Sequence, residues 1–238
     1  MEHGGTGHLL IVSHLRLRRI IGALGLALPV VLLVWGFALS GWNLTVQNSL
    51  SDYYSLRTRD AFVGILFVIA WFLCAYKGYE VIDDVLGNLA CILALGVAFF
   101  PNSGAGWERI VHFSCAGGLF VVLSFFSLYL FTKSENSAKG WRRTITSFHF
   151  RAVREGDIVT PQKKIRNRVY IACGIVMVLC LILIGLYSWL GQNTAISRFK
   201  PVFALEWILI WAFGISWMIK GETLGRDKKP IKARLAEV

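Results

Sequence analysis

Six apolar runs, each long enough to cross a bilayer, limit what this chain can fold into more than any other feature of it. They cover residues 20–40, 61–76, 85–101, 110–132, 169–190 and 201–219. A helix needs roughly 17–25 predominantly apolar residues to span hydrocarbon. None of the six runs contains Lys, Arg or Asp. The second is short at sixteen residues, but Lys77 behind it can snorkel to the interface. The third is also short and carries Asn88 near its start. Strands of a membrane barrel would alternate apolar and polar positions over about ten residues, whereas these runs are continuous. The expected fold is therefore all-α, a six-helix transmembrane bundle over 20–219. A basic segment, 1–19, precedes it and a basic tail, 220–238, follows it.

Composition enters through the charges. Only 16% of the 238 residues are charged, against about 25% in an ordinary soluble domain. Twenty of the 25 Lys and Arg residues fall before the first run, after the second, between the fourth and fifth, and after the sixth. The other five are Arg57, Arg59, Arg109, Arg198 and Lys200. Under the positive-inside rule this asymmetry puts both termini and the loop 133–168 in the cytoplasm. The implied location is the plasma (inner) membrane of a bacterium. The formal charge of +11 does not point to nucleic acid, because the basic residues flank apolar spans where topology and anionic headgroups account for them.

Several segments carry local expectations. Residues 9–19 are basic and amphipathic and are expected along the inner interface. Ala38-Leu39-Ser40 faintly resembles a cleavage site, but the run before it is longer than a signal peptide's apolar core. Asn43-Leu44-Thr45 fits a glycosylation sequon. In the basic loop, Trp141, Arg142, Arg143, Arg151 and Arg154 belong to a segment suited to the inner headgroup layer, as an alternative to a plain solvated loop. All five cysteines fall inside the runs and read as small apolar residues. Asp60, Asp83 and Asp84 each stand where an acid caps a helix. Gly117-Gly118 would let a neighbouring helix pack closely. Leu123, Tyr129 and Lys133 satisfy a proposed cholesterol pattern of low specificity.

Chemistry-bearing residues are sparse. There is no G-x-S-x-G, H-E-x-x-H, P-loop or Cys-x-x-Cys pattern, so no catalytic residue, cofactor or metal site is assigned. Ionisable residues inside a span suggest function by default, and two qualify. His112 lies about 4.5 Å into the fourth run and Glu206 about 9 Å into the sixth, at 1.5 Å per residue. Both fall in the outer half of the bilayer, beneath a loop carrying Ser51, Asp52, Tyr54, Arg59 and Asp60. His112 or Arg59 would keep the Glu206 carboxylate charged if adjacent to it. The alternatives are a network that only fixes packing and a site for a headgroup or other ligand.

The pattern Ser51-Asp52, then Phe62-Val63-Gly64, Val111-His112 with Ala116-Gly117, and Glu206-Trp207 resembles the FRAG/DRAM/SFK family of six-span membrane proteins. That group includes autophagy modulators and relatives in lipid and GPI-anchor remodelling, and similar bacterial proteins. The resemblance runs in fragments from residue 49 to 219. It implies the six-helix fold and an association with membrane lipid, and supplies no reaction. Tyr53-Tyr54 stands where eukaryotic members continue with Thr-Gly and a proline, and the basic loop is longer than the family pattern. The expected function is non-enzymatic lipid association through the outer cluster. The alternatives are an ion- or proton-coupled transporter or channel using Glu206 and His112, and a lipid-modifying enzyme.

Overall fold

The computed structural model of the chain describes residues 3–41, 45–78, 80–133, 161–190 and 195–222, without the side chains of 3–13 and 195–196. Among them there are six α-helices and no strand. They are α1 (His3–Leu39), α2 (Arg59–Ala75), α3 (Val81–Phe99), α4 (Gly106–Phe125), α5 (Pro161–Leu190) and α6 (Pro201–Lys220). One π-helical turn, Phe126–Leu130, extends α4, and short 3-10 helices occupy Ser51–Ser55 and Ala195–Phe199. Five of the six, all but α2, are long and apolar enough to cross a membrane. At 17 residues α2 is the shortest.

Each helix packs on its neighbours in sequence, and α6 returns to α1 to close a six-membered ring. One end of this ring carries the loop before α2, the α3–α4 turn and the start of α6, and is called here the Glu206 end. The opposite end, where α6 finishes, is the Lys220 end.

The outward faces are apolar on every helix. Trp35, Trp71, Ile92, Val121, Leu179 and Ile208 are all exposed, which water would penalise and lipid would not. Trp107, Trp189 and Phe199 stand exposed near the Glu206 end, at the level where aromatic side chains sit between headgroups and hydrocarbon. The chain is a multi-pass membrane protein. Inside the ring, Trp217 packs edge-on against Tyr76 (5.2 Å) and Phe131 (5.1 Å).

Several expectations need correcting. The basic segment 9–19 is not a separate interfacial piece, because α1 runs through it unbroken to Leu39. The loop 133–168 ends earlier than expected, since α5 begins at Pro161 and takes Lys163 to Arg168 into the helix. Asp60 does not cap α2. Thr58 holds the cap position, with its hydroxyl donating to the Tyr53 carbonyl (2.8 Å), and Asp60 follows inside the first turn. Asp83 does satisfy the start of α3, accepting the Glu80 N–H at 2.9 Å, while Asp84 pairs with the exposed Lys77 (3.1 Å).

The close helix contact is not at Gly117, where an added Cβ would meet nothing within 4 Å, and Gly118 faces only the flexible Leu93 side chain. Backbones approach closely instead between α1 and α6, where a Cβ on Gly22 would come 2.7 Å from the Gly214 carbonyl oxygen, and between α2 and α3, where one on Gly87 would come 2.9 Å from the Leu73 carbonyl oxygen. Small residues let backbones approach where lipid provides no hydrophobic drive. All five cysteines are free thiols. The sequon residues Asn43 and Leu44 lie outside the described residues, as do Trp141, Arg142, Arg143, Arg151 and Arg154.

Candidate functional site

The Glu206 end is built by a loop stitched onto the start of α6. Lys200 adopts a left-handed backbone (φ 52°) ahead of Pro201, an uncommon conformation for a side chain with a Cβ. Proline at the first helical position wastes no hydrogen bond, because that N–H would be orphaned anyway. At the third helical position the Phe203 N–H goes to the Asn48 carbonyl (2.9 Å). One turn further in, the Glu206 carboxylate accepts the Leu50 N–H at 2.5 Å. Two successive contacts thus hold residues 48–50 against α6.

From there the 3-10 helix turns inward. Asp52 accepts the Ser49 N–H (3.0 Å) while the Ser49 hydroxyl accepts the Asp52 N–H (3.1 Å). The other Asp52 oxygen accepts the Asn102 side-chain amide at 2.6 Å, tying the loop to the α3–α4 turn. Asn102 is buried and was not anticipated; in the run Pro101-Asn102-Ser103-Gly104 it reads only as a turn residue. His112 is completely buried. Its Nδ1 lies 2.7 Å from the Phe100 carbonyl oxygen, which can only accept, so Nδ1 carries the hydrogen. Its Nε2 is buried without a hydrogen-bond partner.

The expected partnership of Glu206 with His112 or Arg59 does not form. Glu206 meets the Leu50 N–H, His112 the Phe100 carbonyl and Arg59 the Tyr54 hydroxyl. Asp52 is instead the common neighbour, close enough for its charge to act on both Glu206 and His112. Ser51, Asp52, Glu206 and His112 therefore share one end and face inward, with the loop as a plug. Beneath it lies a cavity of about 70 Å³, bounded by Glu206 and Ser51 at its polar limit and by apolar side chains such as Leu66, Leu119 and Phe213.

The rest of the expected cluster faces the other way. Tyr54, Arg59 and Asp60 form the rim of a groove of about 560 Å³ on the outside of α2, floored by Gly64, Phe67 and Phe99. The Arg59 guanidinium lies over the Tyr54 ring (4.7 Å from its centre) and donates to the Tyr54 hydroxyl at 3.1 Å. Tyr54 in turn donates to the Phe99 carbonyl (3.2 Å). A Cβ at Gly64 would meet nothing within 4 Å, so this glycine leaves the groove open rather than admitting a helix.

No family model, curated protein or solved structure matches the chain. The arrangement has to be read from its own chemistry. The inward half consists of carboxylates accepting backbone and amide hydrogens, which anchors a loop. The outward half presents a cation pre-oriented on an aromatic ring above an apolar trough.

Proposed function

We propose that this chain is a non-enzymatic, lipid-associated membrane protein that seats an outer-leaflet phospholipid along α2. This agrees with what the FRAG/DRAM/SFK resemblance implies. The observation that carries it is the lateral groove, with Arg59 fixed over Tyr54 at its rim. Phe67 lies eight residues deeper, about 12 Å along the helix, so headgroup and acyl chain would meet a cation and an apolar floor in the right order. Stacking on Tyr54 removes rotamer freedom from Arg59 before the ligand arrives, which lowers the entropic cost of binding. The guanidinium fork suits phosphate oxygens.

The reading needs α2 to be a sixth span and the Glu206 end to face outward. Membrane-impermeant labelling of Ser103→Cys and Lys77→Cys, each in a cysteine-free chain, tests both at once. Reaction at position 103 alone from outside agrees with the reading; reaction at 77 alone reverses it. The lipid itself is tested by native mass spectrometry of the purified chain. Arg59→Gln is expected to lose retained phospholipid, and unchanged retention would overturn the proposal.

A second reading has its own observation. Asp52 and Glu206 are neighbouring acids with no ion pair within 4.0 Å among the described residues, an arrangement that would suit a cation seated between them. Ion coupling would appear as liposome flux abolished by Glu206→Gln.

A further inference from the structure

The rim of the lateral groove carries both signs of charge. Arg59 and Asp60 are consecutive and exposed in the first turn of α2, and both line the groove. Arg59 is held by the Tyr54 ring and hydroxyl together. Asp60 has neither a hydrogen bond nor an ion pair among the described residues. An acid in the first turn of a helix is favoured by the helix dipole whatever it binds, so its place in the turn says nothing about a ligand.

Its place on the helix face says more. Asp60, Gly64, Phe67 and Val68 stand at i, i+4, i+7 and i+8, which puts them on one face of α2, and all four are exposed. Gly64 sets no side chain below Asp60, so the carboxylate heads an open track. Further down, Phe67 packs edge-on against Phe99 and against Trp71, at 6.1 Å between ring centres in each pair. Phe99 and Trp71 are themselves exposed, which carries the apolar surface beyond the groove. From Asp60 to Trp71 the face runs about 16 Å at 1.5 Å per residue, close to half of a hydrocarbon core about 30 Å thick. That is the depth of one leaflet.

The polar end of an occupant has to suit a fixed guanidinium and a free carboxylate together. An anionic headgroup would satisfy Arg59 but be repelled by Asp60. A quaternary ammonium has no N–H to give a carboxylate and suits an aromatic cage instead. A phosphate joined by two carbons to a primary ammonium meets both. Its oxygens fit the guanidinium fork, and its N–H groups make charge-assisted bonds to the acid.

We propose that the groove selects phosphatidylethanolamine, with Arg59 holding the phosphate, Asp60 the primary ammonium, and the trough below Gly64 an acyl chain. The inference rests on the phospholipid reading of this groove and adds the headgroup to it.

The test uses the full chain in nanodiscs of phosphatidylcholine, with phosphatidylethanolamine or phosphatidylglycerol titrated in and retained lipid counted by native mass spectrometry. Phosphatidylethanolamine is expected to be retained about fivefold better than phosphatidylcholine, the upper end for one exposed ion pair. Asp60→Asn should erase that preference and raise the standing of phosphatidylglycerol, because a like charge has gone. Asp60→Glu, which keeps the charge, should preserve the preference. Thermal midpoints in pure phosphatidylcholine verify that both variants are folded. A wild-type ranking with phosphatidylcholine or phosphatidylglycerol first would overturn the inference without any variant. So would a preference that survives Asp60→Asn. In both cases retention that still depends on Arg59 would leave the phospholipid reading standing. Retention indifferent to Arg59→Gln would overturn that reading, and this inference with it.

Discussion

The Glu206 carboxylate and the Leu50 backbone N–H, 156 positions apart in sequence, meet at 2.5 Å. A buried backbone N–H left without an acceptor is costly, so this contact carries weight whatever the charge on the acid. It fastens the loop before α2 to the start of α6, next to the Phe203–Asn48 backbone contact.

Removing that acceptor should release the loop. Glu206→Leu is expected to cost about 2 kcal/mol and to speed hydrogen exchange at the Leu50 amide by roughly thirtyfold, with the helices still protected. Glu206→Gln retains an acceptor oxygen and should lose less than half as much. Equal exchange in all three proteins would show that the contact holds nothing.

Gly64 separates the groove's role from stability. Because a Cβ there meets nothing, Gly64→Ala should stabilise α2 by up to about 1 kcal/mol through helix propensity. Gly64→Leu should keep the fold but fill the groove, so that phospholipid retention falls while the thermal midpoint does not.

The α1–α6 seam should behave in the opposite way. Gly22→Leu or Gly214→Val forces backbones apart that now sit within 3 Å of the added carbon, at a cost of about 1–3 kcal/mol or more. Gly117→Ala, in open space, should be neutral or stabilising. Unfolding in mixed micelles would rank the three variants.

Lys133 and Glu80 test a half-hidden ion pair. Either Lys133→Met or Glu80→Met alone should destabilise by about 1–3 kcal/mol, because a short contact between two mostly buried side chains is lost. Replacing both should restore most of the loss. Additive single effects in the double-variant cycle would argue against this account.

Tyr53 gives the plug a response to alkali. The residue is fully buried in the 3-10 helix, and burial pushes its phenol above the ordinary value of 10.0, with a backbone contact from Gln47 opposing in part. A raised pKa in the folded state means its contribution is complete below the unfolded pKa and is lost as pH rises from there through the folded pKa. Stability should therefore fall above about pH 10, at up to 1.36 kcal/mol per pH unit. Tyr53→Phe should remove that part of the slope, as followed by thermal midpoints from neutral to alkaline pH.

Position along the bilayer axis is legible in the amino-acid order. Lipid demands unbroken apolar runs, and a rise of 1.5 Å per residue converts sequence offset into depth. That is why Ser51, Asp52, His112 and Glu206 were expected at one end and lie at one end. Boundaries slipped where helices outrun their apolar parts, as α5 does by starting at Pro161, since a basic turn outside the hydrocarbon can still be helical.

Rotation about the axis was not legible. Arg59 and Asp60 sit within eight residues of Asp52 yet are exposed on the outside of α2, with the buried Tyr54 beneath Arg59, and nothing in their residue types says which way they turn. Glu206 found a backbone N–H, a donor that every residue but proline carries and that therefore leaves no mark on the sequence. The choice of Gly22 and Gly214 over Gly117 as a tight seam depends on which helices become neighbours. Depth is a property of a single segment in its solvent, so the amino-acid order carries it. Partnership arises only when α6 returns to α1 and closes the ring, so it belongs to the tertiary structure.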